Sequence, residues 1–283
     1  MNAAPSSTIQ SSTIARAHGL TVLITGTSSG FGQLLGRSLL ARGHRVFGAS
    51  RQPSPAAGDA PRLQLDVRDA ASVTACVDEV RRMAGPIDVL VNNAGYVHEG
   101  PLEELPIEDM QAIFETNFFG AVRMTTAVLP DMRTRRFGRI INVTSLAGLI
   151  PLPYLGPYCA SKHALESYSE SLRHELLPLG VSVAIVEPGY FNTGIATRKL
   201  RTSARIADYD PHRRRMYEVF ARDEDRAKGP EPVVDLLTRL VEGRRKGLRH
   251  VIGPDAMMYR LRGFIPQALW ERGMRLTLGL DGR

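Results

Sequence analysis

Hydrophobic positions along the chain fall into short runs of strand length, each followed by a longer stretch of helical character. The runs are "LTVLIT" at 20–25, "RVFGAS" at 45–50, "LQL" at 63–65, "IDVLVN" at 87–92, "RIINVT" at 139–144 and "VSVAIVE" at 181–187, with a seventh, "RHVIG", at 249–253. Runs that are apolar throughout mark strands buried on both faces, as in a parallel sheet. Helical stretches lie between them, at 31–42, 70–84 and 107–134 among others. This alternation predicts right-handed βαβ units, and so an α/β protein with a doubly wound parallel sheet of about seven strands and helices on both faces.

From about 190 to 230 the periodicity gives way to a polar, arginine-rich stretch, and a helical pattern resumes only at "EPVVDLLTRLVEG". An insertion behind the C-terminal end of a strand is where doubly wound folds build substrate sites. The expected organisation is a disordered tail over 1–18, a single domain over 19–283, a substrate-binding insertion or lid over 190–230, and a C-terminal extension over 254–283. The tail is rich in Ser, Thr and Ala, carries one arginine (Arg16) and lacks the apolar segment of a secretory signal. With 283 residues, 43% of them hydrophobic, the chain is long enough for one large core.

Composition narrows the partners. The formal charge is +7, but the arginines are dispersed apart from clusters at Arg213–Arg215 and Arg244–Lys246. No aromatic-basic ribbon or zinc pattern accompanies them, so a nucleic-acid partner is not expected. A solvated basic face that helps attract a phosphorylated cofactor is the better reading. No apolar run approaches the roughly 20 residues that a membrane-spanning helix needs, so a soluble protein is expected. Cys76 and Cys159 have neither metal spacing nor a disulfide framework, which predicts no metal and fits a reducing compartment, the cytoplasm.

Candidate chemistry begins after the first run. There "TGTSSGFG" sets Gly26, Gly30 and Gly32 between a buried strand and a helix, with Thr27, Ser28, Ser29 and Phe31 among them. The spacing G-x-x-x-G-x-G differs from the dinucleotide fingerprint G-x-G-x-x-G, yet the physical need is shared: a tight turn, close approach to a pyrophosphate, and a helix N-terminus that favours an anion. Glycines also end strands for structural reasons alone. At the end of the second run stands Ser50 and then Arg51, where NAD-binding folds usually offer an acidic group to the ribose 2′-hydroxyl. A guanidinium there can neutralise and fork onto a 2′-phosphate, which predicts NADP(H) in preference to NAD(H). An exposed loop arginine is the plain alternative.

Several further motifs follow in order: "NNAG" at 92–95, Asn117 in "ETNFFG", Ser145 in "NVTSLAG", "YCASK" at 158–162 and "EPGYFNT" at 187–193. Together with the glycine loop, they resemble the short-chain dehydrogenases/reductases of the Rossmann type, over roughly residues 19–194. "LQLDVRD", "VRMTTAVLPDM" and "YCASKHALES" are similar to the branch that holds 17β-hydroxysteroid and retinol dehydrogenases.

The resemblance implies a catalytic set of Asn117, Ser145, Tyr158 and Lys162. Pro153, Gly156 and Pro157 make 150–157 a loop, so a helix can start at about Tyr158. Leu165, Tyr168, Leu172 and Leu176 then form an apolar stripe that buries it. Tyr158 and Lys162 share the first turns of this helix. A free tyrosine has a pKa near 10, and a neighbouring ammonium is expected to lower it, making a tuned acid/base pair.

In this reading Tyr158 protonates a carbonyl oxygen during hydride transfer, or deprotonates an alcohol in reverse, while Ser145 hydrogen-bonds the same oxygen. The resemblance further gives Lys162 the nicotinamide ribose hydroxyls and Asn117 a water relay. It also implies cofactor contacts for Asp66 and Val67 (adenine), for Asn93, Ala94 and Gly95 (adenine ribose), and for Pro188, Gly189 and Thr193 (nicotinamide end), with ordinary turns as the alternative in each case. Family habit implies a homodimer or homotetramer.

His98 reads as a loop residue near the pocket rim, and Cys159 as packing, since it points away from the face of Tyr158. The mixture of Tyr190, Phe191, Ile195, Tyr209, Met216, Tyr217 and Phe220 with arginines predicts a lid whose apolar side covers a hydrophobic carbonyl or alcohol substrate, of steroid, retinoid or aromatic kind. Met258, Leu261, Ile265, Leu269 and Trp270 beside arginines make the C-terminal stretch a pocket cap or subunit interface, in preference to a peripheral membrane contact. Two rival functions use the same motifs: a nonenzymatic dinucleotide sensor, and a nucleotide-sugar epimerase or dehydratase.

Overall fold

A computed structural model describes residues 19–52, 60–193, 199–202, 204–253, 256 and 262–280. The expected tail over 1–18, and Ile195, Met258 and Leu261, lie outside the described residues. Seven strands form one sheet: β1 (Thr21–Thr25), β2 (Arg45–Ser50), β3 (Arg62–Gln64), β4 (Val89–Asn92), β6 (Gly138–Val143), β7 (Val181–Pro188) and β9 (Arg249–Ile252). Their order is β3-β2-β1-β4-β6-β7-β9, and every pairing is parallel. The chain winds outward from β1 to β3, then crosses over to β4 and winds the other way. Between β1 and β4 lies the switch point at which such sheets open a crevice for a ligand.

Side chains alternate along the strands, so each strand feeds two cores. Leu23, Leu90 and Ile140 pack with Val77, Val80, Met124, Val128, Leu172 and Leu176 of helices α2 (Ala70–Ala84), α4 (Gly120–Arg135) and α5 (Gly156–Leu176). Val22, Ile24, Val89, Val91, Ile141 and Val186 pack with Leu35 and Leu39 of α1 (Gly30–Ala41) and with Val233, Leu237 and Leu240 of α7 (Glu231–Val241). The apolar stripe predicted on α5 is buried as expected.

Three details differ from the sequence reading. The stretch 107–134 is not one regular helix: α3 (Ile107–Phe114) runs through a π-helical turn over Glu115–Phe119 into α4. Helix α5 begins at Gly156, two residues before Tyr158, because Pro157 falls in its first turn, where a proline is well tolerated. The arginine-rich stretch after 190 contains a regular helix, α6 (Asp210–Asp225), and a short strand, β8 (Leu200–Arg201), which pairs in parallel with β5 (His98–Glu99).

Candidate active site

The glycine loop is built for close approach. Gly26 and Gly30 adopt positive φ, +71° and +59°, conformations that side chains disfavour. A Cβ on Gly26 would lie 2.8 Å from Ala94 Cα, and one on Gly32 would lie 2.6 Å from Asn93 Nδ2 and 2.7 Å from the Gly26 carbonyl oxygen. Asn93 Nδ2 donates to the carbonyls of Thr25 (3.1 Å) and Gly26 (3.0 Å), and the Asn93 and Ala94 amides both donate to Thr25 Oγ1 at 3.0 Å. The two motifs on either side of the switch point therefore hold each other. Thr193 closes the third side, its carbonyl oxygen 3.1 Å from where a Gly30 Cβ would sit, and Phe31 meets Phe191 edge to face at 6.1 Å.

These residues fit a dinucleotide. Ser29, the N-cap of α1, makes no side-chain capping bond, which leaves the first amides of the helix to an anion. Thr27 Oγ1 is buried without a protein partner beside them. Gly26 to Gly32 would hold the pyrophosphate. Ser50 is buried and its hydroxyl donates to the Gln52 carbonyl at 3.1 Å, while Arg51 is exposed at the end of β2. Asp66, expected to meet an adenine amino group, is held by Arg68, whose Nη2 and Nε donate to the carboxylate at 2.6 Å and 3.0 Å. This clamp keeps Asp66 below the usual carboxylate range. Val67 packs under Gly120, where a Cβ would come within 2.6 Å of it.

The four residues of the expected catalytic set come from three neighbouring elements. Ser145 follows β6, caps a short 3-10 turn (Leu146–Gly148) by accepting from the Ala147 amide at 3.1 Å, and donates to the Pro188 carbonyl at 3.5 Å. Tyr158 is half-buried, and the nearby Ser145 hydroxyl favours its ionised form. Lys162, one turn further along α5, is buried, with Nζ 5.8 Å from the centre of the Tyr158 ring and donating to the Val143 carbonyl at 3.0 Å. Asn117 sits in the π-helical turn, a wider winding that recurs at functional sites. A Cβ on Gly95 would lie 3.1 Å from Asn117 Oδ1 and 3.5 Å from Lys162 Nζ, so "NNAG" ends against the catalytic set.

One expectation is corrected here. Lys162 does not depress Tyr158: burial pushes the phenol up to about 12, and the Ser145 hydroxyl offsets only part of this. Burial also pushes Lys162 down to about 8, with Glu166 pulling the other way. A low-dielectric site penalises both charges, and a ring-to-ammonium approach is a weaker lever than a direct bond. Asn117 is a brace: its amide donates to the Tyr96 carbonyl (3.0 Å) and Ser161 Oγ (3.2 Å), and its Oδ1 accepts from the Tyr96 amide (3.0 Å). One Oδ1 lone pair is left for a water.

The described part of the stretch expected to be a lid packs beside Tyr158. Met216 and Phe220 of α6 are buried in a cluster with Val97, Ala147, Leu155 and Cys159, against which Tyr158 packs. Cys159 is buried packing as expected, with its thiol pushed up to about 11. The lid is fastened by two buried carboxylates that the sequence reading passed over. Glu99 binds Lys199 (2.7 Å) and Arg201 (3.1 Å), and Glu104 binds Arg213 and accepts from the Ile206 amide at 2.7 Å. His98 is not a rim residue: it is buried in β5, because the lid strand pairs alongside it. On its outer face the lid carries a cavity of about 610 Å³ lined by Arg201, Arg205, Arg213, Arg214 and Tyr217. At the C-terminus, Trp270 of α8 (Gln267–Thr277) packs on Leu146 and Ile150, so this helix caps the turn that carries Ser145.

A dinucleotide crevice beside a Tyr-Lys pair on one helix defines a class, the oxidoreductases that work with a nicotinamide cofactor. The profile of the short chain dehydrogenase family matches residues 20–204, and the chain belongs to that family. It is 35% identical over 259 residues to a 3-ketodihydrosphingosine reductase of Bacteroides thetaiotaomicron, covering 90% of this chain and 96% of that one. It is 36% identical over 252 residues to 17-beta-hydroxysteroid dehydrogenase type 1 of Homo sapiens, covering 81% and 76%. Among solved structures, a short chain dehydrogenase/reductase from Burkholderia phymatum in complex with NAD superposes with a TM-score of 0.76 at 28% identity, covering 87% of this chain and 94% of that one.

Proposed function

We propose that the protein is an NADP(H)-dependent carbonyl reductase for a hydrophobic substrate, with Ser145, Tyr158 and Lys162 as its catalytic residues and Asn117 as their brace. The observation that carries this is the placement of Tyr158: beside Ser145, with Lys162 Nζ 5.8 Å from its ring centre, and packed on the cluster that buries Met216 and Phe220. A bound nicotinamide supplies the hydride. A phenol with a raised pKa stays protonated at neutral pH, which suits it to donate its proton to a carbonyl oxygen. Ser145 Oγ can hydrogen-bond that oxygen as charge develops, while Lys162 would hold the nicotinamide ribose hydroxyls.

The hydrophobic substrate is inferred from Met216 and Phe220, and agrees in kind with the ketosphingoid and steroid named for the two relatives. The preference for NADP(H) rests on Arg51 and on the absence of an acidic residue at the end of β2. A reducing, cytoplasmic setting and a homodimer or homotetramer complete the reading. The test is the loss of NADPH absorbance across a panel of long-chain ketones, ketosteroids, retinal and small aldehydes, with Tyr158→Phe alongside. Turnover should fall about 1000-fold in the variant, with NADPH affinity retained. Equal turnover of small polar and bulky apolar carbonyls would count against the lid.

A further inference from the structure

We propose that Glu166 is a positioning residue for this reaction: its carboxylate, one helical turn beyond Lys162, keeps the Lys162 ammonium charged and braces the turn that carries Ser145. The inference rests on the reading that Tyr158 and Lys162 carry the proton transfer.

Residues four apart on a helix share a face, and both of these are buried, Lys162 at 5% exposure and Glu166 at 4%. A single carbonyl, that of Val143, accepts from Lys162 Nζ. One neutral acceptor does not balance an ammonium removed from water, and Glu166 is the anion whose field acts on it. Glu166 is itself fixed from a distant part of the chain. Arg249 of β9 donates to Glu166 Oε2 at 2.6 Å, to Glu187 Oε1 of β7 at 2.8 Å and to Glu170 Oε1 at 2.7 Å.

The remaining contact is with the Ser145 turn. A Cβ on Gly148 would lie 3.1 Å from Glu166 Cγ and 3.2 Å from the Lys162 carbonyl oxygen, so this turn rests directly on the Glu166 stem.

The charged and titratable groups around Glu166 are Lys162 and Glu170 on α5, Glu187 on β7, and Arg249 and His250 on β9; the turn over 146–148 brings none. Three carboxylates thus face one permanent cation, Arg249, and Lys162, and such a cluster takes up a proton readily. Burial pushes Glu166 up to about 7, against the pull of Thr144 and Arg249. As the pH rises through that range, Glu166 gains its charge just where Lys162, with its own pKa near 8, would begin to lose its proton.

Glu166→Gln keeps the shape and stays neutral at every pH. The measurement is NADPH affinity, by quenching of protein fluorescence with no carbonyl present, together with kcat/KM for reduction, each from pH 6 to 9. The ratio of wild type to variant should widen about tenfold between pH 6 and 8.5 in both. Glu166→Asp, which keeps the charge, should follow the wild-type profile. A ratio constant with pH marks packing alone and overturns the proposal, as does an unaltered variant. Where Glu166→Gln does not fold, an NADPH affinity of the unaltered protein that is flat from pH 6 to 9 overturns it. Tyr158→Phe separates the two readings: turnover persisting in that variant sinks the catalytic assignment, while the NADPH titrations still decide the role of Glu166.

Discussion

The crevice at Tyr158 has two walls, and they are held together by opposite means. The cofactor wall, from the glycine loop to "NNAG", is joined by neutral hydrogen bonds from Asn93 and to Thr25, and by glycines packed closer than any side chain would allow. The other wall, the segment expected to be a lid, is joined by charge: Glu99 and Glu104, both buried, are claimed by Lys199, Arg201 and Arg213. Neutral contacts of fixed shape suit a ligand that is always the same. Ion pairs on long side chains can open and re-form without repacking a core, which suits a lid that must admit substrate and release product. Lys162 lies at the seam between the two, its Nζ 3.5 Å from where a Gly95 Cβ would sit and 5.8 Å from the centre of the Tyr158 ring.

The largest expected effect is at Glu104. Glu104→Ala leaves Arg213 and the Ile206 amide without their buried partner, and should cost about 3 kcal/mol in denaturant unfolding, the scale for breaking a buried pair. It should also raise KM more than it lowers kcat. A loss confined to kcat would mean that the ion pairs serve the chemistry and not the lid.

At the seam, Lys162→Met should lower turnover severely yet raise stability by about 1–3 kcal/mol at neutral pH, since it removes a buried charge and keeps the volume. The folded-state pKa of Lys162 is depressed to about 8 from 10.5, so the unfolded chain binds more protons between those values. This group therefore adds stability as pH rises from about 8 to 10.5, and the variant should lack that rise. Thermal unfolding at pH 7, 8, 9 and 10 checks both signs.

On the cofactor wall, Arg51→Ala should weaken NADPH binding about tenfold, through loss of a charge-assisted contact to the 2′-phosphate, and leave NADH unchanged. Equal weakening of both would assign Arg51 to general attraction. The smallest effect is expected at the lid's outer edge, where Arg205 pairs with Asp210 in full solvent. Arg205→Ala should leave the melting temperature within error, in contrast to Glu104→Ala. A large shift there would erase the distinction between buried and exposed fastenings.

Much of the fold was legible because its signals are local. Seven apolar runs became seven strands within two residues, and the glycine loop and Tyr158–Lys162 fell on the elements foreseen for them. The π-helical turn at Asn117 was hidden, since "ETNFFG" reads as continuous helix and only the packing of Asn117 against Tyr96 and Ser161 marks the wider turn. The lid helix was missed for a related reason. Its buried positions, Met216 and Phe220, are only two among many charges, too few to make a stripe. The clamp of Arg68 on Asp66 was also hidden, since a contact two residues away is one that spacing alone could not rank.

The sequence by itself determined the winding of the sheet, the switch point and the residue types at the reacting centre, because these follow from periodicity, turn chemistry and motif order. Only the tertiary structure decided the electrostatics of that centre. Whether Tyr158 is raised or lowered depends on how much water Lys162, Ser145 and the lid leave around it. The counter-charge on Lys162 is in turn held by Arg249, whose place beside Glu166, 83 positions away in the chain, is set by the pairing of β9 with β7. Desolvation and long-range contact are properties of the packed molecule, and no local pattern of residues encodes them.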